Sequence, residues 1–570
     1  MRGARSGAAL FRKRNMPQTI FIGVAWPYAN GPLHLGHVAG CYLPADIFAR
    51  YHRARGNDVL MVSGSDEHGT PITIQAQQEG TTPAAVSQKY HDLFLETWPR
   101  MGMSWDLYTR TGTENHKRVT QDIFLRLLDR GYIFLDKMQT LNCPKCNRFL
   151  PDRYVEGKCP HCGSPGARGD ECDSCGRPLN AEELIEPRCR LCGGTPALQE
   201  TEHFFLDLPK FSDQLGKWIA QQRHWKPNVL AFTQNIIKGG LRPRPITRDL
   251  EWGIPVPVKG FEGKRIYVWF ENVIGYLSAS IEWAAKTGDP DVWRKWWSPP
   301  AKSYYFIGKD NIFFHTLSWP AALMGYDDLL LPYDVPANEH LTLEHRPLST
   351  SRNWAIWLDD FLNRYDADSL RYMLSANMPE SADTDFSWHE FVRRNNDELV
   401  ATYGNFVHRA LSFIAARFDG RVPDGEAAVD ADRNMRALAE QAFAACAGHL
   451  ENCRFRAAIG EAMNLAREGN KYIDARAPWH AAKTDRADAA ASLFTCVQVI
   501  AALKTMLYPF LPFSSQRLHE MLGLQGRIGG DWKIEAIPAA HPLGQPAPLF
   551  APLEDKVVEE ELQRLHSSAR

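Results

Sequence analysis

TIFIGVAWPYANGPLHLGH, residues Thr19 to His37, is the stretch that decides the fold. Thr19 to Ala25 is a short apolar run of the kind buried on both faces of a parallel sheet. The turn-rich segment Trp26-Pro27-Tyr28-Ala29-Asn30-Gly31-Pro32 ends it, and a helical pattern starts near His34-Leu35-Gly36-His37. A second apolar run, Asp58 to Ser63, ends at Gly64-Ser65-Asp66-Glu67-His68-Gly69. Strand, loop and helix in repetition predict a doubly wound, Rossmann-like α/β sheet. Ligands on such sheets bind outside the carboxyl ends of the strands, where both loops would lie.

The tetrapeptide HLGH has a logic for nucleotide chemistry. His34 and His37, three apart at a helix start, share a face and can reach one phosphate, where the helix dipole already favours negative charge. Gly36 leaves room for a flat ring to approach the backbone. Alone the pattern is weak, since histidines near helix starts are commonly capping or surface residues.

Eight of the twelve cysteines form four CxxC pairs: Cys143/Cys146, Cys159/Cys162, Cys172/Cys175 and Cys189/Cys192. Each pair reads as a knuckle that aims two sulfurs at one point, and eight thiolates make two structural four-sulfur zinc sites. A disulfide cluster would need an oxidising compartment, and no secretory signal stands in the sequence. Intervals of 12, 9 and 13 residues between successive pairs permit more than one grouping. Cys41, Cys446, Cys453 and Cys496 have no partner spacing and read as core thiols of a reducing cytoplasm.

A length of 570 residues with 44% apolar content fits a large enzyme of several domains. The net charge of −2 neither requires nor excludes a nucleic-acid partner, because a basic face can sit inside a balanced total. The longest apolar stretch, Leu493 to Leu507, contains Thr495, Gln498 and Lys504 and reads as too short and too polar to span a membrane. Residues 1–16 are basic without an amphipathic face and are expected to be a disordered extension.

Taken in order, AWPYANGPLHLGH, GSDEHGTP, the knuckles, YVWFENVIGYLSAS, YFIGKDNIFFH and STSRNWAIW resemble the class I aminoacyl-tRNA synthetases, and the methionyl-tRNA synthetase family in particular. The likeness runs from about Thr19 to at least Lys483. It implies a catalytic domain in two halves, 17–135 and 226–335, around an inserted zinc-knuckle domain at 136–225. A signature-loop region at 336–385, an all-α anticodon-binding bundle at 386–535 and a tail at 536–570 would follow. It further implies methionine, ATP with Mg²⁺ and tRNA(Met) as partners, a cytoplasmic enzyme and a monomer. The inner cysteine pairs would share one zinc and the outer pairs the other.

By the same resemblance His34 and His37 would contact ATP phosphates, Gly36 would border the nucleotide, and Gly308 and Asp310 would hold the adenosine. Lys309 beside them is left open between phosphate and solvent. Ala25, Trp26, Tyr28, Trp269, Tyr276 and His315 would form the methionine pocket, with Asp66 pairing to the substrate ammonium. Asn405, Arg409 and Trp479 would read or stack on the CAU anticodon. Leu399, Tyr403, Phe406, Ala410 and Ile414 recur at helical spacing and mark the buried face beneath them.

The departures are as informative. Asn272-Val273 stands where many members have alanine and proline, and Asn311 where an aliphatic is common. The second signature loop, usually lysine-methionine-serine-lysine-serine, is Pro347-Leu348-Ser349-Thr350-Ser351, followed by Arg352. Both lysines that neutralise the departing pyrophosphate are gone, which leaves Arg346 or Arg352 to supply the cation. The favoured reading is an active enzyme with a substituted clamp. The alternatives are an inhibitor-tolerant second copy, a non-catalytic tRNA- or nucleotide-binding relative, and a zinc-dependent RNA-binding module.

Overall fold

The computed structural model describes residues 17–150, 152–169, 172, 174–175, 177, 179, 181–327, 329–350, 352–425 and 429–568. The expected N-terminal extension and the signature-loop residue Ser351 lie outside them.

Five parallel strands form the central sheet: β1 (Thr19–Val24), β2 (Asp58–Ser65), β3 (Leu107–Arg110), β4 (Lys302–Gly308) and β5 (Ala337–Asn338). Their order is β5-β4-β1-β2-β3. In β1, Ile22 lies opposite Met61 on one side and Tyr304 on the other, and every residue but Thr19 is buried. The chain leaves β1 first toward β3 and later returns to its other side. That reversal opens a crevice at the carboxyl ends of β1 and β4, the topological switch point of a doubly wound sheet.

Between β3 and β4 the chain makes a long excursion. The strand Ile133–Cys143 pairs antiparallel with Ala197–Leu206 along ten residue pairs, and the knuckles lie between them. Beyond the sheet, helices dominate. Leu399, Tyr403, Phe406, Ala410 and Ile414 are all fully buried, as their spacing predicts. The apolar run Leu493 to Leu507 belongs to a longer helix, Arg486–Leu507, which is long and apolar enough to cross a membrane. This corrects the expectation that the segment is too short and too polar. Its apolar window is 89% buried inside the protein, so it serves as the central helix of the bundle.

A buried ion pair ties the two parts together. Arg371 donates to Asp46 Oδ2 at 2.6 Å and to the carbonyls of Phe510, Pro509 and Met101 at 2.6, 2.8 and 3.2 Å. Arg371 and Asp46 are both fully buried. Burial alone would raise the Asp46 carboxyl, but Arg50 and Arg371 beside it override that and hold it at about 2.

Candidate active site and metal centres

His34 caps a one-turn helix, Leu35–His37, that runs on into a π-helical turn, Val38–Tyr42. Its Nδ1 accepts from Gly36 N at 3.1 Å, while His37 Nδ1 accepts from His34 N at 3.2 Å. The two rings stack with centroids 3.7 Å apart. With each Nδ1 occupied as an acceptor, each neutral ring carries its hydrogen on Nε2. Burial, with His37 alongside, holds His34 well below the usual histidine range, and burial brings His37 down to about 4. At neutral pH the pair is therefore two uncharged N–H donors rather than two cations.

Gly36 is closed over by the second signature loop, where a Cβ would stand 2.7 Å from Leu348 Cδ1. That loop leaves a tight hairpin in which Leu343 pairs with Arg346 across Glu344 and His345, both in the left-handed region. Ser349 and Trp354 then exchange backbone hydrogen bonds at 2.9 Å each. Arg346 lays its guanidinium on the Trp354 ring, 4.1 Å from the centroid, whereas Arg352 is exposed and has no ion-pair partner among the described residues. Thr350, at the tip, is exposed. The C-terminal helix Lys556–Ser568 abuts the same loop: Asn353 Nδ2 donates to Ser568 O at 2.9 Å, and His566 meets the Trp354 ring edge-on.

Across the crevice, Asp66 directly follows β2 with only 2% of its surface exposed. Its Oδ1 accepts from His68 N at 3.2 Å and its Oδ2 from Asn272 Nδ2 at 2.8 Å. Burial, reinforced by the neighbouring Glu271, pushes its carboxyl well above the usual range. Glu271 in turn is gripped by His68 Nδ1 at 2.9 Å and lies 3.5 Å from His116 Nε2. An ammonium brought to Asp66 would supply the counter-charge that the site lacks. A cationic ammonium seated there is therefore expected to expel a proton from Asp66, and more of one as pH is lowered through its raised pKa. Calorimetric titration in buffers of different ionisation enthalpy measures this. A proton release that persists unchanged in Asp66→Asn would contradict it.

Ala25, Tyr28 and Trp269 are half-buried, and Tyr28 forms a backbone bridge with Asp66 beyond the ends of β1 and β2. Tyr28 stands edge-on to Trp269, which stacks at 4.8 Å on Phe314, so aromatic faces and edges are available to a thioether. Trp26, Tyr276 and His315 sit deeper. The Trp26 ring is clasped between Gly64 and Gly275, where added Cβ atoms would come within 2.5 and 2.8 Å of it. His315 donates from Nδ1 to Asn311 O at 2.9 Å, which leaves its Nε2 to accept from the Tyr276 hydroxyl at 2.8 Å. These three form the rigid wall behind the half-buried residues.

At the end of β4, Gly308 is half-buried and Asp310 exposed. Asp310 Oδ2 accepts from His340 Nε2 at 2.9 Å. Lys309, left open from the sequence, pairs with Glu339 and Asp383 at 2.9 Å each. Sequence reasoning missed His68, Glu271, Phe314 and His340 as parts of the site, and marked Asn272 only as a departure able to reshape the pocket. Three of the four missed residues lie within motifs already quoted, but what marks them is a partner distant in the chain.

The knuckles converge in two groups, Cys143/Cys146/Cys189/Cys192 and Cys159/Cys162/Cys172/Cys175, with all four sulfurs of each group within 4.8 Å of one another. Close sulfur pairs are 3.5 to 3.9 Å apart. A disulfide needs about 2.05 Å. A tetrahedron with metal–sulfur bonds of about 2.3 Å has edges of about 3.8 Å, so the residues fit zinc. Four thiolates fill the coordination sphere, which makes each site structural.

In the helical part, Asn405, Arg409 and Trp479 come together. Arg409 places its guanidinium 4.8 Å from the Trp479 ring centroid and pairs with Asp474 at 2.6 Å. Asn405 Nδ2 donates to Asn470 Oδ1 at 3.1 Å. Ala477, in the left-handed region, turns the chain between the helices Phe455–Arg476 and Pro478–Thr484, and Trp479 lies under the Arg409 guanidinium.

A doubly wound sheet with paired imidazoles at its switch point, an inserted module with two four-cysteine groups and a helical appendage define a class I tRNA synthetase. The family model "tRNA synthetases class I (M)" matches residues 20–411, and "Anticodon binding domain of methionyl tRNA ligase" matches residues 422–570. The chain is 57% identical over 551 residues to the methionine–tRNA ligase of Dehalococcoides mccartyi, covering 96% of this chain and all of that one. It is 54% identical over 584 residues to the methionine–tRNA ligase of Thermomicrobium roseum, covering 97% of this chain and all of that one. The chain belongs to the methionine–tRNA ligase family. Its fold is that of the Mycobacterium tuberculosis methionyl-tRNA synthetase solved with methionyl-adenylate, at a TM-score of 0.79 and 24% identity, covering 94% of this chain and 100% of that one.

Proposed function

We propose that this protein joins methionine to ATP, giving methionyl-adenylate and pyrophosphate, and passes the methionyl group to the terminal ribose of tRNA(Met). The observation that carries this reading is the pairing of a buried, charge-hungry Asp66 with an aromatic crevice beside the two stacked imidazoles. The methionine carboxylate attacks the α-phosphate in line and pyrophosphate leaves, so positioning and charge stabilisation carry the step. Asp66 holds the ammonium, Ala25, Tyr28 and Trp269 hold the side chain, and Trp26, Tyr276 and His315 fix those walls. His34 and His37 donate through Nε2 to phosphate oxygens, Gly36 borders the nucleotide once the Leu348 side chain over it gives way, and Gly308 with Asp310 receives the adenosine. Magnesium arrives with ATP as part of the substrate and neutralises its phosphates.

In the lysine-free loop, Ser349, Thr350 and Ser351 offer hydroxyls, while Arg346 and Arg352 supply the positive charge. Both arginines are exposed; Arg346 lies on the Trp354 ring, and Arg352 has no ion-pair partner among the described residues. Zinc would be held by the eight knuckle cysteines and would order their module without entering the reaction. Removing it is expected to increase hydrogen exchange over residues 141–192 sharply and to leave β1 and β2 protected. Mass-spectrometric exchange with a metal assay checks this. Release of no zinc, or uniform loss of protection, would contradict it. A monomer in the cytoplasm is the setting this reading expects.

Charging of a CAU-anticodon transcript with labelled methionine tests the assignment. Arg409→Ala or Trp479→Ala is expected to lower kcat/KM for tRNA about 10- to 100-fold while pyrophosphate exchange is unchanged. Equal losses in both assays would count against an anticodon role for these residues.

A further inference from the structure

The Asp66 carboxylate is oriented by two donors, one on each oxygen. His68 N comes from its own loop, and Asn272 Nδ2 comes from the helix Val268–Thr287, 206 positions along the chain. Asn272 is 7% exposed, so its amide is all but withdrawn from water and exchanges little of this bond for solvent. The charged groups facing Asp66 are Glu271 on that helix, which repels it, and His68 in its own loop, which attracts it. Glu67, the remaining acid of the loop, is taken up by Arg110 at 2.8 Å and by Gly112 N at 3.0 Å. Asn272 is thus a neutral side chain hydrogen-bonded to the Asp66 carboxylate from a distant element. A carboxylate oxygen has two lone pairs, so the bond from Asn272 fixes the plane of the group and leaves acceptor capacity on both oxygens.

We propose that Asn272 is a positioning residue for the amino-acid substrate, holding the Asp66 carboxylate in the plane that meets the α-ammonium. This rests on the assignment of Asp66 as the ammonium-binding group. Without the amide the carboxylate is held by His68 N alone, stands against Glu271 with one donor fewer, and takes up a proton more readily. The damage falls on methionine capture and not on ATP, whose proposed contacts lie at the paired histidines and the β4 end.

Steady-state ATP–pyrophosphate exchange on Asn272→Ala, on the near-isosteric Asn272→Leu and on Asp66→Asn tests this, with thermal midpoints alongside. In both Asn272 variants KM for methionine is expected to rise about tenfold. The expected kcat and KM for ATP stay within about twofold, and the acid limb of kcat/KM for methionine moves to higher pH. An unchanged KM for methionine in a folded Asn272→Leu protein overturns the proposal. So does a loss spread equally over methionine, ATP and kcat. If Asp66→Asn itself leaves KM for methionine unchanged, the assignment of Asp66 fails and the proposal goes with it. If Asp66→Asn raises that KM and the Asn272 variants do not, only the role of Asn272 fails.

Discussion

Replacing His37 with alanine is expected to slow methionine-dependent ATP–pyrophosphate exchange about 10²–10³-fold, with the loss in kcat. The imidazole is committed on one side: its Nδ1 accepts from His34 N, which points the Nε2 hydrogen outward. Burial keeps the ring neutral, with its pKa at about 4, so it donates without first having to shed or gain a proton. A fixed donor strengthens its bond as charge gathers on the phosphates, and that differential interaction is what lowers a barrier. Alanine removes the donor and also the acceptor that ends the His34 backbone, so a modest loss of stability, about 1 kcal/mol, accompanies the loss of rate. Comparison of kcat and both KM values at a temperature well below unfolding separates the two effects. A fall of less than about fivefold would mean that the paired histidines do not serve the departing charge.

The second large effect concerns the joint between the catalytic sheet and the helical bundle. Arg371→Leu is expected to destabilise the protein by about 3–5 kcal/mol. The guanidinium is fully buried and satisfies the carbonyls of Phe510, Pro509 and Met101 besides its bond to Asp46. Leucine fills much of the space but leaves three carbonyls unpaired and Asp46 with Arg50 and Ser104 alone. The Asp46 carboxyl lies at about 2 in the folded protein, below its ordinary value of 3.8. Its share of the stability is therefore complete above the unfolded value and is lost as pH falls toward 2. Urea denaturation followed by hydrogen exchange over Leu43–Ala54 and Ala367–Ala376 reads the effect at both ends of the strut. A loss below about 1 kcal/mol would show that the pair is dispensable.

What could be read from the sequence was what short spacing fixes. HLGH places two rings on one face because a helix turn does so, and CxxC aims two sulfurs together because a tight turn does so. The strand Thr19–Val24 announced itself by a run of apolar residues that only a doubly covered position could bury. Everything that depends on partners far apart in the chain was out of reach. Asn272 read as an odd substitution, and only the fold brings it to Asp66. Arg371 sits in a helix where an arginine is ordinarily solvated, and its partners are 325 positions upstream and 139 downstream. The C-terminal residues read as a tail, with no local sign that their helix abuts the signature loop at Asn353 and Trp354. Trp26 carries the same limit: the sequence puts it at the crevice, and two distant glycines draw its ring beneath.

The central claim is that a chain without the two signature-loop lysines activates methionine. Methionine-dependent ATP–pyrophosphate exchange on the purified protein, with homocysteine, leucine and isoleucine as comparison substrates, tests it most directly. The account predicts exchange with methionine, weaker exchange with homocysteine, and further loss on changing Arg352 to alanine. No exchange with any of the four, in a folded protein that retains zinc, would contradict it.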